Sequence, residues 1–323
     1  MSRMLIAASV VVLLSHKPAV AQDRFRPLSD DEACSVLGID KQPLPTWARV
    51  LAKSLPGTTV AMLGLDELHR ARNPLGPVLS GKLRWVAADA VHCPYGRSYA
   101  ESDLRRAGLS DADLKLLRDG GKRLPEPDRL ALALARKLTV AAHSVSDEDM
   151  AALIKCHGPE KTVAIVHTVA HANFQNRLFL ALGVALEKDE PLPPKAPEAP
   201  KEKPVAPERP PWISVAKIEV KTPALSLGWS DRTLDDVRKA LVGQKERKGR
   251  IPLPDAERLE KLPPESRARV QKIVWSHVSM GYQPALTSTW FATMDRFHGE
   301  SKLDRPFANT FFWVITRDNQ CFY

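Results

Sequence analysis

The fold is indicated most clearly by residues 82–108, which read KLRWVAADAVHCPYGRSYAESDLRRAG. In this stretch, Trp85 is followed by a valine and, eight positions after the tryptophan, by Cys93. The same arrangement recurs at Trp313 and Cys321, each 228 positions further along the chain. Tryptophan and cysteine are scarce in this protein, with 7 and 4 residues, so the recurrence indicates an internal duplication.

The composition of the whole chain is that of a globular protein. Of its 323 residues, 44% are hydrophobic, 26% are charged and 6% are aromatic, which excludes wholesale disorder and a polytopic membrane protein. The length suggests about two domains at ~150 residues each. The net charge is +9, but basic residues are interspersed with acidic ones and form no aromatic-rich basic patch. We therefore expect no nucleic-acid partner.

The first 21 residues have the three parts of an export signal. Arg3 supplies the positive start, residues 4–14 are apolar or small, and Ala19 and Ala21 form a small-x-small cleavage site before Gln22. As a helix, the apolar part spans about 16 Å, too little for a hydrocarbon core of about 30 Å. We expect a protein exported to the periplasm or the medium, with no membrane association after cleavage. An uncleaved N-terminal anchor is the alternative.

Prolines divide the remainder of the chain into two parts. The segment 190–211 holds nine prolines among lysine, glutamate and alanine, and such a composition predicts an extended spacer without a core of its own. The predicted domains are therefore residues 22–189 and residues 212–323, joined by a Pro/Lys/Glu-rich linker.

Helix start and stop signals predict that the first domain is all-α. Ser29, Ser110 and Ser146 each precede acidic residues, which is the pattern of a helix N-cap. Gly158 and Pro159 precede a segment that is apolar on nearly every side, so we expect that helix in the core. The predicted helices are one after Ser29, then 111–118, 128–142, 147–156 and 160–182. After the linker we expect a short extended segment at 213–220 and helices at 231–242, 264–275, 287–297 and from 304 onward.

Residues 82–108 resemble the core of the alkylhydroperoxidase D/carboxymuconolactone decarboxylase family, in which a helix, a Cys-x-Tyr-Cys turn and a second helix end in Ala-Gly. The resemblance continues through residues 128–142 and 163–183, and through the part of the second domain that precedes Cys321. It implies an all-α, duplicated fold with an incomplete second copy, and a homo-oligomer. Some such proteins are thiol peroxidases and others are decarboxylases, so it also implies a peroxide substrate and a thiol reductant, without cofactor or metal.

The candidate catalytic residues are Cys93 and Cys321, with His92 and Tyr95 as support for the first of them. A thiol peroxidase needs a thiolate that attacks the peroxide oxygen. Cys93 occupies the position of the family's first cysteine and is followed by a proline, as at a helix start. The helix N-terminus is then expected to make this thiol more acidic than a free one, whose pKa is about 8.5.

The first domain lacks the other catalytic residues of the family pattern. The second cysteine, the histidine and the upstream glutamate correspond to Gly96, Ala100 and Gly81. The dithiol mechanism therefore does not transfer, and we expect Gly96→Cys to raise the turnover. The alternatives are that Cys93 packs as a small hydrophobic residue, and that the helical domain serves oligomerisation or interaction without catalysis.

Further candidates have a structural and a functional interpretation. His167 and His171 are four residues apart, a spacing that suits two metal ligands, but their apolar surroundings favour core histidines. Cys34 and Cys156 are expected to pack or to pair in a disulfide. The sequence ends one residue short of a second Cys-x-Tyr-Cys turn, so we expect the parent protein to continue beyond Tyr323.

Overall fold

The computed structural model describes residues 25–197, 249–270 and 274–318, with a few positions between 233 and 242. Within these residues the protein is helical and contains no strand, which confirms the predicted all-α fold class. In the first domain the helices are α1 (Asp30–Leu37), α2 (Thr46–Leu51), α3 (Pro56–Arg70), α4 (Gly76–Ala90), α5 (Pro94–Arg106), α6 (Asp111–Arg118), α7 (Glu126–Val140) and α8 (Asp147–Leu182). After the linker they are α9 (Ala256–Glu260), α10 (Pro264–Arg267), α11 (Val274–Tyr282), α12 (Pro284–Glu300) and α13 (Arg305–Asp318).

Several predictions concern residues that the structure does not describe. The export signal, the extended segment at 213–220 and Cys321 lie outside the described residues, as does half of the helix predicted at 231–242. None of the described helices is long and apolar enough to cross a bilayer.

The predicted helix starts are confirmed by their hydrogen bonds. Ser29, Ser110 and Ser146 each cap a helix through a capping box, in which the serine and the third helical residue bond to each other's backbone N–H. The two helices predicted around Gly158 and Pro159 meet at a sharp kink within α8, where Gly158 adopts a φ of 73° and interrupts the helical backbone.

The second half of α8 is the central helix, as its apolar sequence predicted. Ile165 and Val169 are fully buried in a core cluster that also contains Leu83 and Leu104. A second apolar cluster joins residues of α1, α2 and α5 to the end of α8 and includes Cys34, Trp47, Cys93 and Phe179. These two clusters hold the helices that carry the candidate site.

The prediction of one continuous helix at 264–275 is wrong, because residues 268–270 are not helical. Helix α10 ends at Arg267, whereas residues 271–273 lie outside the described part of the chain. The backbone N–H groups of Arg269 and Val270 donate to carbonyls three residues earlier, at 3.1 Å. This tightening into a 3₁₀-type turn ends the helix.

The C-terminal helices contact the first domain directly. Glu300, the last residue of α12, accepts hydrogen bonds from the N–H of Gly57 at 2.6 Å and from the N–H and hydroxyl of Thr58 at 2.8 and 2.7 Å. Leu55, the N-cap of α3, offers no side-chain cap. Glu300 therefore caps α3 from a distant part of the chain and also places a negative charge at its N-terminus.

Glu300→Ala is expected to lower the free energy of unfolding by about 1–2 kcal/mol, the usual cost of a lost N-cap. Urea denaturation followed by tryptophan fluorescence measures the change. The matched control is Glu257→Ala, because Glu257 is an exposed helical residue that pairs only with Lys261. Equal effects of the two substitutions would contradict the capping role.

Helix α13 carries an exposed apolar surface. The exposed side chains are Phe307, Phe311, Phe312, Trp313, Val314 and Ile315, with 45–67% of their surface accessible. Trp85, the counterpart of Trp313 in the predicted duplication, is buried at 5%. The duplication stays a prediction, since the two tryptophans have different surroundings and Cys321 lies outside the described residues.

Candidate functional site

Cys93 lies at the turn between α4 and α5. It is the N-cap residue of α5, and its Sγ accepts a hydrogen bond from the N–H of Gly96 at 3.4 Å. His92 has a φ of 54°, which turns the chain sharply before the cysteine. Pro94 follows as the first helical residue, where a missing N–H costs nothing. The sequence therefore positions Cys93 at a helix start, as predicted.

The electrostatic environment of Cys93 differs from the expectation. The side chain is completely buried, and burial raises the pKa of its thiol. Backbone hydrogen bonds from Gly96 and Tyr95 and the charge of Arg97 act in the opposite direction but do not outweigh burial. The expectation that this thiol is more acidic than a free one is wrong in direction.

The two predicted supporting residues flank Cys93 in the turn between α4 and α5. The Tyr95 hydroxyl donates to Glu187 at 2.5 Å and lies 3.1 Å from the hydroxyl of Tyr99. The phenol of Tyr95 is thus bonded to Glu187, whereas its backbone N–H donates a hydrogen bond to the sulfur of Cys93. His92 is exposed and shapes the turn through its backbone.

The three positions that lack the family's catalytic residues are tightly packed. A Cβ on Gly81 would lie 2.7 Å from Leu104 Cδ2, and Ala100 is completely buried. A Cβ on Gly96 would lie 1.9 Å from Oδ1 of Asn176. Gly96→Cys is therefore accommodated only if Asn176 moves, so the expected gain in turnover does not follow from that substitution alone.

A small chamber is lined in part by Gly96. Its volume is about 20 Å³, enough for a molecule of water size or slightly larger. The chamber is lined by Trp47, Asp66, Arg70, Arg84, Gly96, Tyr99, Ala172, Gln175, Asn176 and Phe179. Its lining combines charged and polar groups with aromatic rings, as small-molecule sites usually do.

The polar wall of the chamber is a buried ionic network. Arg70 donates to Asp66 at 2.9 Å and to Asp103 at 2.7 and 2.9 Å, and Arg84 donates to Asp103 at 2.9 Å. Gln175 donates to the second oxygen of Asp66 at 2.8 Å. The charges balance, because two buried guanidinium groups face two buried carboxylates.

The beginning of the linker covers this network. Glu187 accepts hydrogen bonds from Thr46, Tyr95 and Tyr99, and the carbonyl of Leu192 accepts from Arg70 at 2.8 Å. Glu190 accepts from Ser102 at 2.7 Å. Only 11% of the Glu187 side chain is exposed, so this carboxylate belongs to the packed domain rather than to the solvated surface.

Two of the histidines form a stacked pair next to the network. The rings of His69 and His171 have centroids 4.1 Å apart and are inclined by 10°. Burial lowers the pKa of His171 to about 4, and burial together with the neighbouring His171 lowers that of His69 well below its ordinary value. Within the described part of the chain, no group of three or more histidine, cysteine or acidic residues is arranged to hold a metal ion.

The other described cysteines are free thiols. Cys34 is buried, and its sulfur donates to the carbonyl of Gln42 at 3.4 Å. Cys156 is exposed on α8. In this structure the two do not form the disulfide that the sequence left open, and Cys34 takes the packing role.

Comparison with known proteins gives a weak similarity of fold. The sequence matches no protein-family model, and no curated protein is significantly similar to it. Among solved structures, a cysteine-to-alanine variant of the debrominase Bmp8, in complex with 2,3,4-tribromopyrrole, is 20% identical with a TM-score of 0.44. The match covers 51% of this chain and 91% of that chain. This similarity does not assign a family or an activity.

Proposed function

We propose that the first domain is a member of the alkylhydroperoxidase D/carboxymuconolactone decarboxylase family that reduces peroxide through the single thiol of Cys93. The proposal is supported by the resemblance of residues 82–108 to the family core and by the all-α fold. An external thiol is the reductant, because the position of the second cysteine is occupied by Gly96.

The observation that carries this proposal is the place of Cys93 at the start of α5. Its sulfur accepts the N–H of Gly96 at 3.4 Å, a contact that stabilises a thiolate. Gly96 in turn lines the chamber. Cys93 itself is not among the residues that line the chamber.

The reaction proceeds in three steps. The Cys93 thiolate attacks one peroxide oxygen, the S–O bond forms as the O–O bond breaks, and the leaving oxygen takes a proton to become water or an alcohol. The sulfenic acid is then attacked by an external thiol with release of water. A second thiol resolves the mixed disulfide, which regenerates Cys93 and leaves one oxidised disulfide of the reductant.

Turnover is expected to be slow at neutral pH and to depend on Cys93 alone. Because burial raises the pKa of this thiol, its thiolate fraction and the rate should rise about tenfold per pH unit between pH 7 and 9. Peroxide consumption with and without dithiothreitol measures the activity. Cys93→Ala should abolish it, whereas Cys156→Ala, which removes the exposed thiol, should leave it intact. Equal activity of the Cys93→Ala variant would contradict the proposal.

A non-catalytic interaction domain is the second candidate. The observation in its favour is the exposed apolar surface of α13, since exposed patches of this kind mark interaction sites. The same assay separates the two candidates, because an interaction domain consumes no peroxide at any pH. Light scattering then determines whether the protein is the homo-oligomer that we propose.

We also propose that the protein is exported and begins at Gln22 in its mature form. The support is the sequence of the first 21 residues alone. Intact-mass measurement of protein from the extracytoplasmic fraction tests this, and a cytosolic species that retains Met1 would contradict it.

A further inference from the structure

The segment that follows α8 in the chain is not helical and lies against the first domain. Residues 187–192 of this segment, here called the strap, contact helices that are distant in sequence. The carbonyl of Leu192 accepts a hydrogen bond from Arg70 of α3 at 2.8 Å. The carbonyl of Pro191 accepts one from Arg106 of α5. The strap is thus bonded through its backbone to two helices of the domain.

Glu187 makes the central contact of the strap. Its carboxylate accepts hydrogen bonds from the hydroxyls of Tyr95 at 2.5 Å and Tyr99 at 2.9 Å, both on α5. It also accepts from the N–H and the hydroxyl of Thr46, the first residue of α2, at 2.8 and 2.6 Å. Burial raises the pKa of this carboxyl, but the hydrogen bonds from Thr46 and the two tyrosines outweigh burial and lower it, so the group is ionised at neutral pH. One carboxylate therefore joins the start of α2 to α5.

The helices that Glu187 joins also enclose Cys93. The thiol is completely buried, in a cluster that includes Trp47 of α2 and Tyr95 and Tyr99 of α5. The backbone N–H of Tyr95 donates to the sulfur, and the ring of the same residue stacks on Tyr99 with centroids 4.7 Å apart. The tyrosine that contacts the sulfur is therefore also one of the two that the strap holds in place.

A thiol without exposed surface reacts with a dissolved peroxide only after a local opening of the fold. The strap is suited to such an opening, because three of its six residues are exposed and only Pro191 is buried. A segment with few buried apolar contacts separates from a domain at a lower free energy than a core helix does. The strap can therefore separate while the core of the domain stays packed.

We propose that the strap is an autoinhibitory cover: Glu187 holds α2 and α5 closed around Cys93, and separation of the strap admits peroxide to the thiol. This inference rests on the proposed function, because it concerns access to the reactive sulfur. While the strap is bound, the reaction is slow. When it separates, Tyr95 and Tyr99 lose the carboxylate, and the turn that carries Cys93 opens to solvent.

The test measures how fast N-ethylmaleimide labels Cys93 in the folded protein, with the site of labelling mapped by mass spectrometry. Glu187→Ala removes the carboxylate and should raise this rate at least tenfold, since it deletes several charge-assisted hydrogen bonds. Lys188→Ala is the matched control, because Lys188 is the exposed neighbour in the strap, and it should leave the rate unchanged. Cys34 is the internal control, because it is buried on α1 and global unfolding would expose both thiols alike.

Selective labelling distinguishes an autoinhibitory strap from a merely stabilising contact. Cys93 should become reactive in Glu187→Ala while Cys34 stays protected. Tyr99→Phe, which keeps the ring and removes a single hydroxyl, should raise the Cys93 rate about fivefold, the effect of one lost hydrogen bond. Equal Cys93 rates in the natural protein and in Glu187→Ala, or equal acceleration of Cys34 and Cys93, would overturn the proposal.

Hydrogen peroxide with dimedone separates this proposal from the proposed function. Sulfenic acid on Cys93 should form at least tenfold faster in Glu187→Ala than in the natural protein. A Cys93 that N-ethylmaleimide labels in the variant but that peroxide leaves unoxidised would overturn the peroxidase function and leave the strap standing as a cover. A Cys93 that peroxide oxidises equally fast in both proteins would overturn the strap and leave the thiol mechanism standing.

Discussion

Replacing Asp103 with asparagine is expected to destabilise the first domain by about 3–5 kcal/mol, the cost of removing one partner of a buried ion pair. The Asp103 carboxylate accepts from Arg70 at 2.7 and 2.9 Å, from Arg84 at 2.9 Å and from Arg106 at 3.1 Å. Without its charge, Arg84 would be left buried with no carboxylate bonded to it. Since whole domains are stable by about 5–15 kcal/mol, this is a large fraction of the total.

Urea denaturation at pH 7 measures the loss. The control is Asp119→Asn, because Asp119 pairs with Lys115 on the surface with both side chains more than half exposed. Exposed pairs contribute about 0–1 kcal/mol. A loss of less than 1 kcal/mol in Asp103→Asn would show that the network does not hold the helices of the site together.

Mild acid is expected to destabilise the protein through His171. Burial lowers the pKa of this histidine to about 4, so in the folded state it stays neutral where the unfolded chain, with a pKa near 6.5, is already protonated. The unfolded state then binds more protons, and the free energy of unfolding falls as the pH decreases from about 6.5 to about 4. From pH 7 to pH 5 the loss from His171 is about 2 kcal/mol.

Urea denaturation at the two pH values tests this, with His171→Asn as the variant that removes the titrating ring. The difference between pH 7 and pH 5 should shrink by about 2 kcal/mol in that variant. His143→Asn serves as the control, since His143 is exposed and its replacement should leave the pH dependence unchanged. The same pH dependence in His171→Asn and in the natural protein would contradict the account.

The helices that were predicted correctly are those with local signals. Serine caps such as Ser29 and Ser146, and the break at Gly158, act within a few residues of the chain, so the sequence alone reveals them. The caps that were missed come from far away. Glu300 caps the N-terminus of α3, and Glu187 binds Thr46 across 141 positions, which no local pattern records.

The candidate site likewise combines features that follow from local sequence with features that depend on the packed fold. That Cys93 begins a helix follows from its sequence neighbourhood, because Pro94 favours the first helical turn. That its pKa is raised follows from burial among α1, α2 and α8, a property of the packed fold. The chamber was missed because Arg84 and Asn176 lie on α4 and α8, and no periodicity or spacing places these two helices around a common space.

The most direct test of the proposed function is the location of the oxidised sulfur after one equivalent of hydrogen peroxide. The natural protein is treated in the presence of dimedone, digested and mapped by mass spectrometry. The account predicts the adduct on Cys93, with more of it at pH 9 than at pH 7, and none on Cys34. An adduct confined to the exposed Cys156, or no adduct on any cysteine at either pH, would contradict the assignment of Cys93 as the reactive thiol.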